Sequence, residues 1–205
     1  MNSKRIYASI GRIAGIYDTA LQIVGYEYSV KFFISRLPFP KEASLQVLDA
    51  GCGTGLYTLA ILKQYPNSRI TAFDLDEKLV ERLRQKIRRK NYESRARLFV
   101  GDIQKPSLQT NEFDLVITAG VLEYVPIHSV VRILAQSLRA KGHFFNSPVR
   151  DTWWGHVIAT IYACKIYSRK EAIEAFEPEF RLQKIIQLPW YILASFKEGH
   201  LFQKI

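Results

Sequence analysis

Only two of the 205 residues are cysteine, and 19 acidic residues stand against 29 basic ones. Cys52 and Cys164 lie far apart, with no Cys-x-x-Cys and no Cys/His group at metal-ligand spacing, so neither a disulfide framework nor a zinc site organises this chain. Long apolar runs are missing too. The most apolar, Trp153 to Cys164, contains His156 and falls well short of the roughly 20 residues a membrane-spanning helix needs. Behind Lys4 and Arg5 the apolar stretch is broken by Arg12 and Asp18, so no secretory leader is expected, and an acid-poor transit peptide is the less favoured reading. The expectation is a cytoplasmic protein, at most peripheral to a membrane.

What is present is ordinary in amount: a hydrophobic fraction of 48% and a charged fraction of 23% are those of a globular protein, and the length suits one domain with its own core. The excess of +10 is uneven. From Arg82 to Arg97 the chain carries Arg82, Arg84, Lys86, Arg88, Arg89, Lys90, Arg95 and Arg97 against Glu93 alone. No aromatics are interleaved for base stacking, so a solvated helix face is the plainer reading. An anionic partner or membrane surface is the functional one, with nucleic acid the less favoured partner.

The chemistry concentrates in Val47-Leu48-Asp49-Ala50-Gly51-Cys52-Gly53-Thr54-Gly55. Alternating apolar residues at Leu45, Val47 and Leu48 predict a buried strand, and Leu56 to Leu62 predicts a helix. Strand, Gly-rich turn, helix is the arrangement that binds ligands beyond the carboxyl ends of an open α/β sheet. Glycines can take positive φ and let a ligand approach the backbone. The sixth position of a dinucleotide fingerprint would be Gly but is Leu56, and the Lys-Ser or Lys-Thr of a phosphate loop is replaced by Leu56-Tyr57. Asp49 would repel a pyrophosphate and suit positive charge. The residues therefore point to a nucleoside with a cationic tail. Asp74 closes the predicted strand Arg69–Asp74 and follows Gly55 by 19 residues, near the roughly 20 at which an acid meets ribose hydroxyls.

From about Ser44 to Pro148 the chain resembles the class I S-adenosylmethionine-dependent methyltransferases, through four segments in order: the Gly-rich turn, the strand ending at Asp74, Leu98 to Ile103, and Glu112 to Val125. The resemblance implies a doubly wound, Rossmann-like α/β fold with a seven-stranded, mostly parallel sheet and one antiparallel edge strand. It implies S-adenosylmethionine as cofactor, held by Asp49, Gly51, Cys52, Gly53 and Gly55 of the turn, by Asp74 and Leu75, by Asp102 at the adenine amino group with Ile103 against the ring, and by Thr118 and Ala119 at the fourth strand's end. Family members with a Tyr-Asp pair ahead of the first motif use the tyrosine in a lid, which Tyr17-Asp18 resembles; Tyr17 as a core residue is the equal alternative. The fourth motif departs from Asn/Asp-Pro-Pro-aromatic, having Ala119-Gly120-Val121-Leu122, and no Pro-Cys pair is present, which disfavours the base-methylating classes that need either.

Ahead of this core, residues 1–43 predict a helical cap. Tyr7, Ile10, Ala14, Tyr17, Leu21 and Val24 share one helical face, and a second helix runs through Tyr28, Phe32, Phe33 and Leu37, the pair lying over the ligand site as a lid. Residues 44–205 form the core. A helix over His128–Leu138, a strand over His143–Ser147, and strands from Arg181 to Ile186 and Ile192 to Lys204 follow, the last antiparallel. Trp153 to Tyr167 reads either as a helix covering the sheet or as an apolar acceptor pocket. Ser168 and Glu171 form a capping box for the next helix. Methyl transfer needs a base only if the acceptor must lose a proton; His128, His156 and Glu123 are the candidates. The expected acceptor is a small apolar, aromatic, lipid-like or quinone-like metabolite. The alternatives are a nucleic-acid or protein acceptor guided by the basic face, and a non-catalytic cofactor-binding subunit.

Overall fold

The computed structural model describes residues 26–189 and 196–205. Tyr17 and the first predicted helix lie outside them. The chain divides into two compact units, Met1–Pro106 and Ser107–Ile205.

In the first unit, β1 (Gln46–Ala50), β2 (Arg69–Asp74) and β3 (Ala96–Val100) run parallel in the order β3-β2-β1, with Val47 opposite Ile70 and Ile70 opposite Ala96. Val47, Leu48 and Ala50 are fully buried, as expected of a parallel strand covered on both faces. Helices α1 (Tyr26–Ile34), α2 (Leu56–Gln64) and α3 (Glu77–Arg89) complete the unit. Asp76 caps α3 by accepting from Lys78 N at 2.8 Å, Leu79, Val80, Leu83 and Ile87 form its buried stripe, and Lys86, Arg88 and Arg89 sit in its last turn, where the helix dipole favours cations.

Two expectations for this unit change. The helix through Phe32 and Phe33 ends at Ile34, short of Leu37: α1 packs on α2, burying Tyr26, Val30, Phe33 and Ile34, and Tyr65 Oη donates to Ile34 O at 3.3 Å. The third strand stops at Val100 because Asp102 turns the chain, its Oδ1 accepting from Gln104 N at 2.9 Å. The basic run is partly structural. Arg95 donates to the carbonyls of Leu62, Tyr65 and Ser68 at the end of α2, Lys86 donates to Thr54 O, and Arg84 pairs with Glu81. Arg88, Arg89, Lys90 and Arg97 remain exposed.

The second unit contains β4 (Phe113–Ala119), α4 (Ile127–Ser137), β5 (Leu138–Ser147), α5 (Trp153–Tyr162), α6 (Arg169–Glu174), β6 (Phe180–Gln187) and β7 (Glu198–Lys204), with strand order β4-β5-β7-β6. β4 and β5 are parallel; β7 is antiparallel to both neighbours and lies between β5 and β6, so the hairpin's outer strand is β6. β5 begins earlier than expected. Leu138 pairs with Phe113, the chain bulges through Lys141 at φ 59°, and His143 resumes opposite Leu115. Phe144, Phe176, Phe180 and Phe202 fill the core, the Phe176 and Phe202 rings stacked with centroids 4.1 Å apart. The predicted capping box is complete: Ser168 Oγ accepts from Glu171 N, and Glu171 Oε2 accepts from Ser168 N at 2.8 Å. Seven strands with one antiparallel member, alternating with helices, make the Rossmann-like α/β class that the sequence implies.

Candidate cofactor site and its surroundings

The Gly-rich turn is tied to the end of β2. Gly51 N and Cys52 N both donate to Phe73 O at 2.9 Å, and Gly53 N donates to Asp74 Oδ2 at 2.8 Å. Gly53, at φ 54°, has open space where a Cβ would stand, so its backbone can be approached by a ligand. Gly55 has a different role. At φ 87° it N-caps α2, and a Cβ there would come within 2.1 Å of Leu83 Cδ1, so this glycine lets α3 pack against the turn.

Two buried carboxylates sit below this loop. Asp74 Oδ1 accepts from Asp76 N at 3.0 Å and Oδ2 from Gly53 N at 2.8 Å, and the Leu75 N–H also favours the carboxylate. Burial raises its pKa against the pull of those N–H groups. Asp49 is almost fully buried and accepts from the Thr58 hydroxyl. Burial pushes its pKa up to about 7, with the Thr58 hydrogen bond opposing and the Asp74 charge adding to the rise. Among the described residues no salt bridge involves Asp49. Cys52 is buried and its thiol is raised well above the ordinary range by burial and by Asp49 and Asp74, so it is a poor nucleophile. Leu75 is 36% exposed beside Asp74, Ile103 is buried, and Asp102 is half-buried at its turn.

In the second unit, Thr118 Oγ1 bonds Asn146 Oδ1 at 3.0 Å within the sheet, so only backbone is offered at the end of β4, where Ala119 precedes Gly120 at φ 68°. The three base candidates are not brought together. His128 is exposed on the first turn of α4, at the wall of a cavity of about 390 Å³ that includes Lys165, Tyr167 and Glu171. His156 is exposed on α5 with Nε2 2.9 Å from Asp151 Oδ1. Glu123 is buried: Oε1 accepts from Val149 N at 2.9 Å and lies 3.9 Å from Lys197 Nζ, while Oε2 has no partner. Lys197, buried beside it, has its pKa lowered by burial against the opposing Glu123 charge.

Sequence reasoning missed a charged cluster on β7. Glu198 Oε2 lies 2.6 Å from Arg169 Nη2 and 3.6 Å from Arg150 Nε; its Oε1 takes Arg169 Nε at 3.1 Å and His200 Nε2 at 2.7 Å. Burial would raise the Glu198 pKa, but His200 and Arg169 outweigh it and lower it to about 2. In the strand this reads as ordinary polar alternation. The signal available was the run of ionisable residues Lys197, Glu198 and His200 beside the apolar pair Leu201-Phe202.

The segment from Trp153 is a helix, as one of the two readings expected, but its apolar residues are turned outward. Thr152 Oγ1 accepts from Gly155 N at its start and Ala163 ends it in the left-handed conformation. Only Gly155 and Ala159 are buried, and a Cβ on Gly155 would fall 1.9 Å from Arg150 O. Trp153, Trp154 and Ile161 are 70%, 61% and 67% exposed. At about 100° per residue, Trp153, Val157, Ile161, Trp154 and Ile158 form one continuous outward arc. The helix turns its small residues inward and its large apolar residues outward.

A parallel α/β sheet with a glycine turn fixed to an acidic strand end defines a nucleoside-binding Rossmann-like domain. Residues 47–142 match the family model described as "Methyltransferase domain". The chain carries a methyltransferase domain of the class I S-adenosylmethionine-dependent family. It is 31% identical over 143 residues to a malonyl-acyl-carrier-protein O-methyltransferase of Acetivibrio thermocellus, covering 69% of this chain and 48% of the relative. It is 31% identical to 2-methyl-6-phytyl-1,4-hydroquinone methyltransferase 1, chloroplastic, of Oryza sativa, over 54% of this chain and 33% of the relative. The chain thus spans about half the length, or less, of these curated relatives. Geranyl diphosphate C-methyltransferase from Streptomyces coelicolor superposes with a TM-score of 0.73 at 15% identity, covering 87% of this chain and 76% of that one, a likeness of fold.

Proposed function

We propose that this protein transfers a methyl group from S-adenosylmethionine to a small acceptor with a substantial apolar part. The outward apolar face of α5 is the observation that carries the acceptor class: the exposed Trp153–Trp154 pair and Ile161, with half-buried Val157 and Ile158 on the same arc, form an apolar contact surface. The phytyl and geranyl groups in the names of two similar proteins accord with it.

The residues of the turn fit the cofactor. The open backbone at Gly53 admits a close approach, the Asp74 carboxylate at the strand end suits ribose hydroxyls, and Leu75 offers an exposed apolar surface. Asp102 would accept from the adenine amino group, with Ile103 against the ring. Asp49, a buried carboxylate held by the hydroxyl and backbone N–H of Thr58, suits the cationic end. Bound S-adenosylmethionine supplies an electrophilic methyl on a sulfonium. The chain's part is to hold the acceptor atom in line at about 3 to 3.5 Å and to exclude water, which can supply much of the acceleration. No described side chain stands out as a base, because His128 and His156 are exposed and Glu123 is tied to Val149 N. An acceptor that arrives ionised, or needs no deprotonation, fits this arrangement.

The test is transfer of labelled methyl from S-adenosylmethionine to a panel of prenyl, aromatic and acyl acceptors, with nucleic acid and protein as controls. Turnover on an apolar acceptor, with KM raised several-fold in Trp153→Ser/Trp154→Ser, is expected. Turnover on nucleic acid or protein alone would overturn the acceptor class.

A further inference from the structure

The carboxyl ends of β4 and β5 lie side by side in the second unit, Ala119 opposite Ser147, and α/β proteins bind ligands outside such strand ends. Buried polar side chains meet at this edge. Lys197 arrives from just ahead of β7, bridged to Val149, with its side chain 6% exposed. Its Nζ stands 3.3 Å from the point where a Cβ on Gly120 would be, so the glycine that follows β4 leaves room for the ammonium. Glu123, in the short 3-10 turn Leu122–Tyr124, is 3% exposed at its side chain. That turn adjoins the end of α5, since Tyr124 Oη donates to Tyr162 O at 3.1 Å and Lys165 N to Glu123 O at 3.2 Å.

The two charges balance each other, but their hydrogen bonding is incomplete. Lys197 Nζ donates to Ser147 O at 3.1 Å, and Glu123 Oε1 accepts from Val149 N at 2.9 Å. These separate tethers hold Nζ and Oε1 3.9 Å apart, beyond a hydrogen bond. Among the described residues neither Glu123 Oε2 nor the buried Ser147 hydroxyl has a partner, and Nζ uses one of its three N–H groups. Cys164 is the thiol near both charges; burial and Glu123 keep it protonated, and its side chain bonds to Tyr124. A pair that only stapled β7 to this turn would gain by closing to hydrogen-bonding distance, because unmade bonds on buried charges are costly. An ammonium donor beside a carboxylate acceptor is matched by an atom that accepts and donates at once, as a hydroxyl does.

We infer that Lys197, Glu123 and Ser147 form a recognition site for a hydroxyl group of the methyl acceptor, its oxygen accepting from Lys197 Nζ and its hydrogen donated to Glu123 Oε2. The hydroxyl is held, not deprotonated. Because the pair is neutral overall, the site favours a neutral alcohol or phenol over an anion, which would face the Glu123 carboxylate. The acceptor then places its apolar body on α5 and its hydroxyl at the strand ends. This rests on the proposed methyl transfer, although the binding of a hydroxyl itself does not.

The experiment titrates the full chain with phenol, with anisole, which accepts but cannot donate, and with sodium benzoate, at constant ionic strength, and follows backbone amide shifts. Phenol should give saturable shifts centred on Gly120, Glu123, Ser147 and Lys197, with a Kd about tenfold or more below those of anisole and benzoate. The double variant Glu123→Gln/Lys197→Met, which removes both charges together, should abolish this preference. Ser147→Ala, a milder change, should reduce it about threefold in a fold of unchanged amide dispersion. Equal affinities for phenol and anisole, tighter binding of benzoate, or a preference that survives in both variants overturns the site. No saturation by phenol identifies a structural staple only and overturns it as well. S-adenosylmethionine is titrated into the same samples. Its binding without a preference for phenol overturns the hydroxyl site alone, and the preference without its binding overturns the methyl-transfer reading alone.

Discussion

Asp49 in the first unit and Glu198 in the second are both buried carboxylates, and their environments push them in opposite directions. Asp49, raised chiefly by burial, meets the hydroxyl and backbone N–H of Thr58 and a like charge, and rises to about 7; Glu198 meets Arg169, Arg150 and His200, and falls to about 2. The difference lies in the count of cations around each. A buried carboxylate short of a cation is suited to receive one from a ligand, while one already paired with guanidiniums is satisfied within the fold.

The largest expected effect tests the second half of this contrast. Glu198→Gln leaves two guanidiniums and an imidazole without their charge partner, and should cost about 3 to 5 kcal/mol in urea unfolding at neutral pH. Asp49→Asn removes a buried charge with no cation beside it and should leave stability at pH 8 unchanged or slightly higher. Equal losses for the two variants would break the comparison.

Asp74→Ala comes next. It deletes the acceptor for Gly53 N and Asp76 N and the proposed ribose contacts, and should weaken S-adenosylmethionine binding about 100-fold by calorimetry. Gly55→Ala should destabilise by about 2 to 4 kcal/mol, through its 2.1 Å approach to Leu83 and its left-handed backbone. Gly53→Ala, with open space at its Cβ, should cost only about 1 kcal/mol in thermal unfolding yet weaken the cofactor.

The pH dependence has opposite slopes. Asp49 binds its proton more tightly folded than unfolded, so its contribution to stability is greatest below about pH 4 and falls away as pH rises to about 7. Glu198 is depressed, so its contribution is full above its unfolded pKa near 4.5 and is lost as pH falls towards about 2. Urea titrations of Asp49→Asn and the parent chain at pH 5 and pH 8 should therefore differ more at pH 8. The smallest effect belongs to α5: Trp153→Ser/Trp154→Ser should change stability by no more than about 0.5 kcal/mol, because both rings are in solvent.

Much of the first unit was legible because its signals are local. Strand, glycines and helix lie within Leu45 to Tyr65, Asp74 stands at the end of the strand read from Arg69, and the basic run was readable as a helix face. The roles within the turn were less so. That Gly55 serves α3 packing depends on Leu83, which no spacing rule connects to it. In the second unit the Ser168 and Glu171 capping box was readable for the same local reason. The Glu198 cluster was not, since it joins Arg150, Arg169 and His200 from a loop, a helix start and a strand. The outward face of α5 was hidden by the habit of assigning large apolar residues inward; Gly155 and Ala159, four residues apart, were the available clue to a close-packed small-residue face.

The most direct test is calorimetric titration of S-adenosylmethionine into the parent chain and Asp49→Asn at pH 6 and pH 8, in buffers of different ionisation enthalpy. Binding to the parent should strengthen towards pH 8, by up to about tenfold per pH unit below 7, and release a fraction of a proton at pH 6. Asp49→Asn should bind more weakly, with neither the pH dependence nor the proton release. Binding of equal strength at both pH values with no proton released, or no binding at all, would contradict a buried carboxylate matched to a cationic ligand.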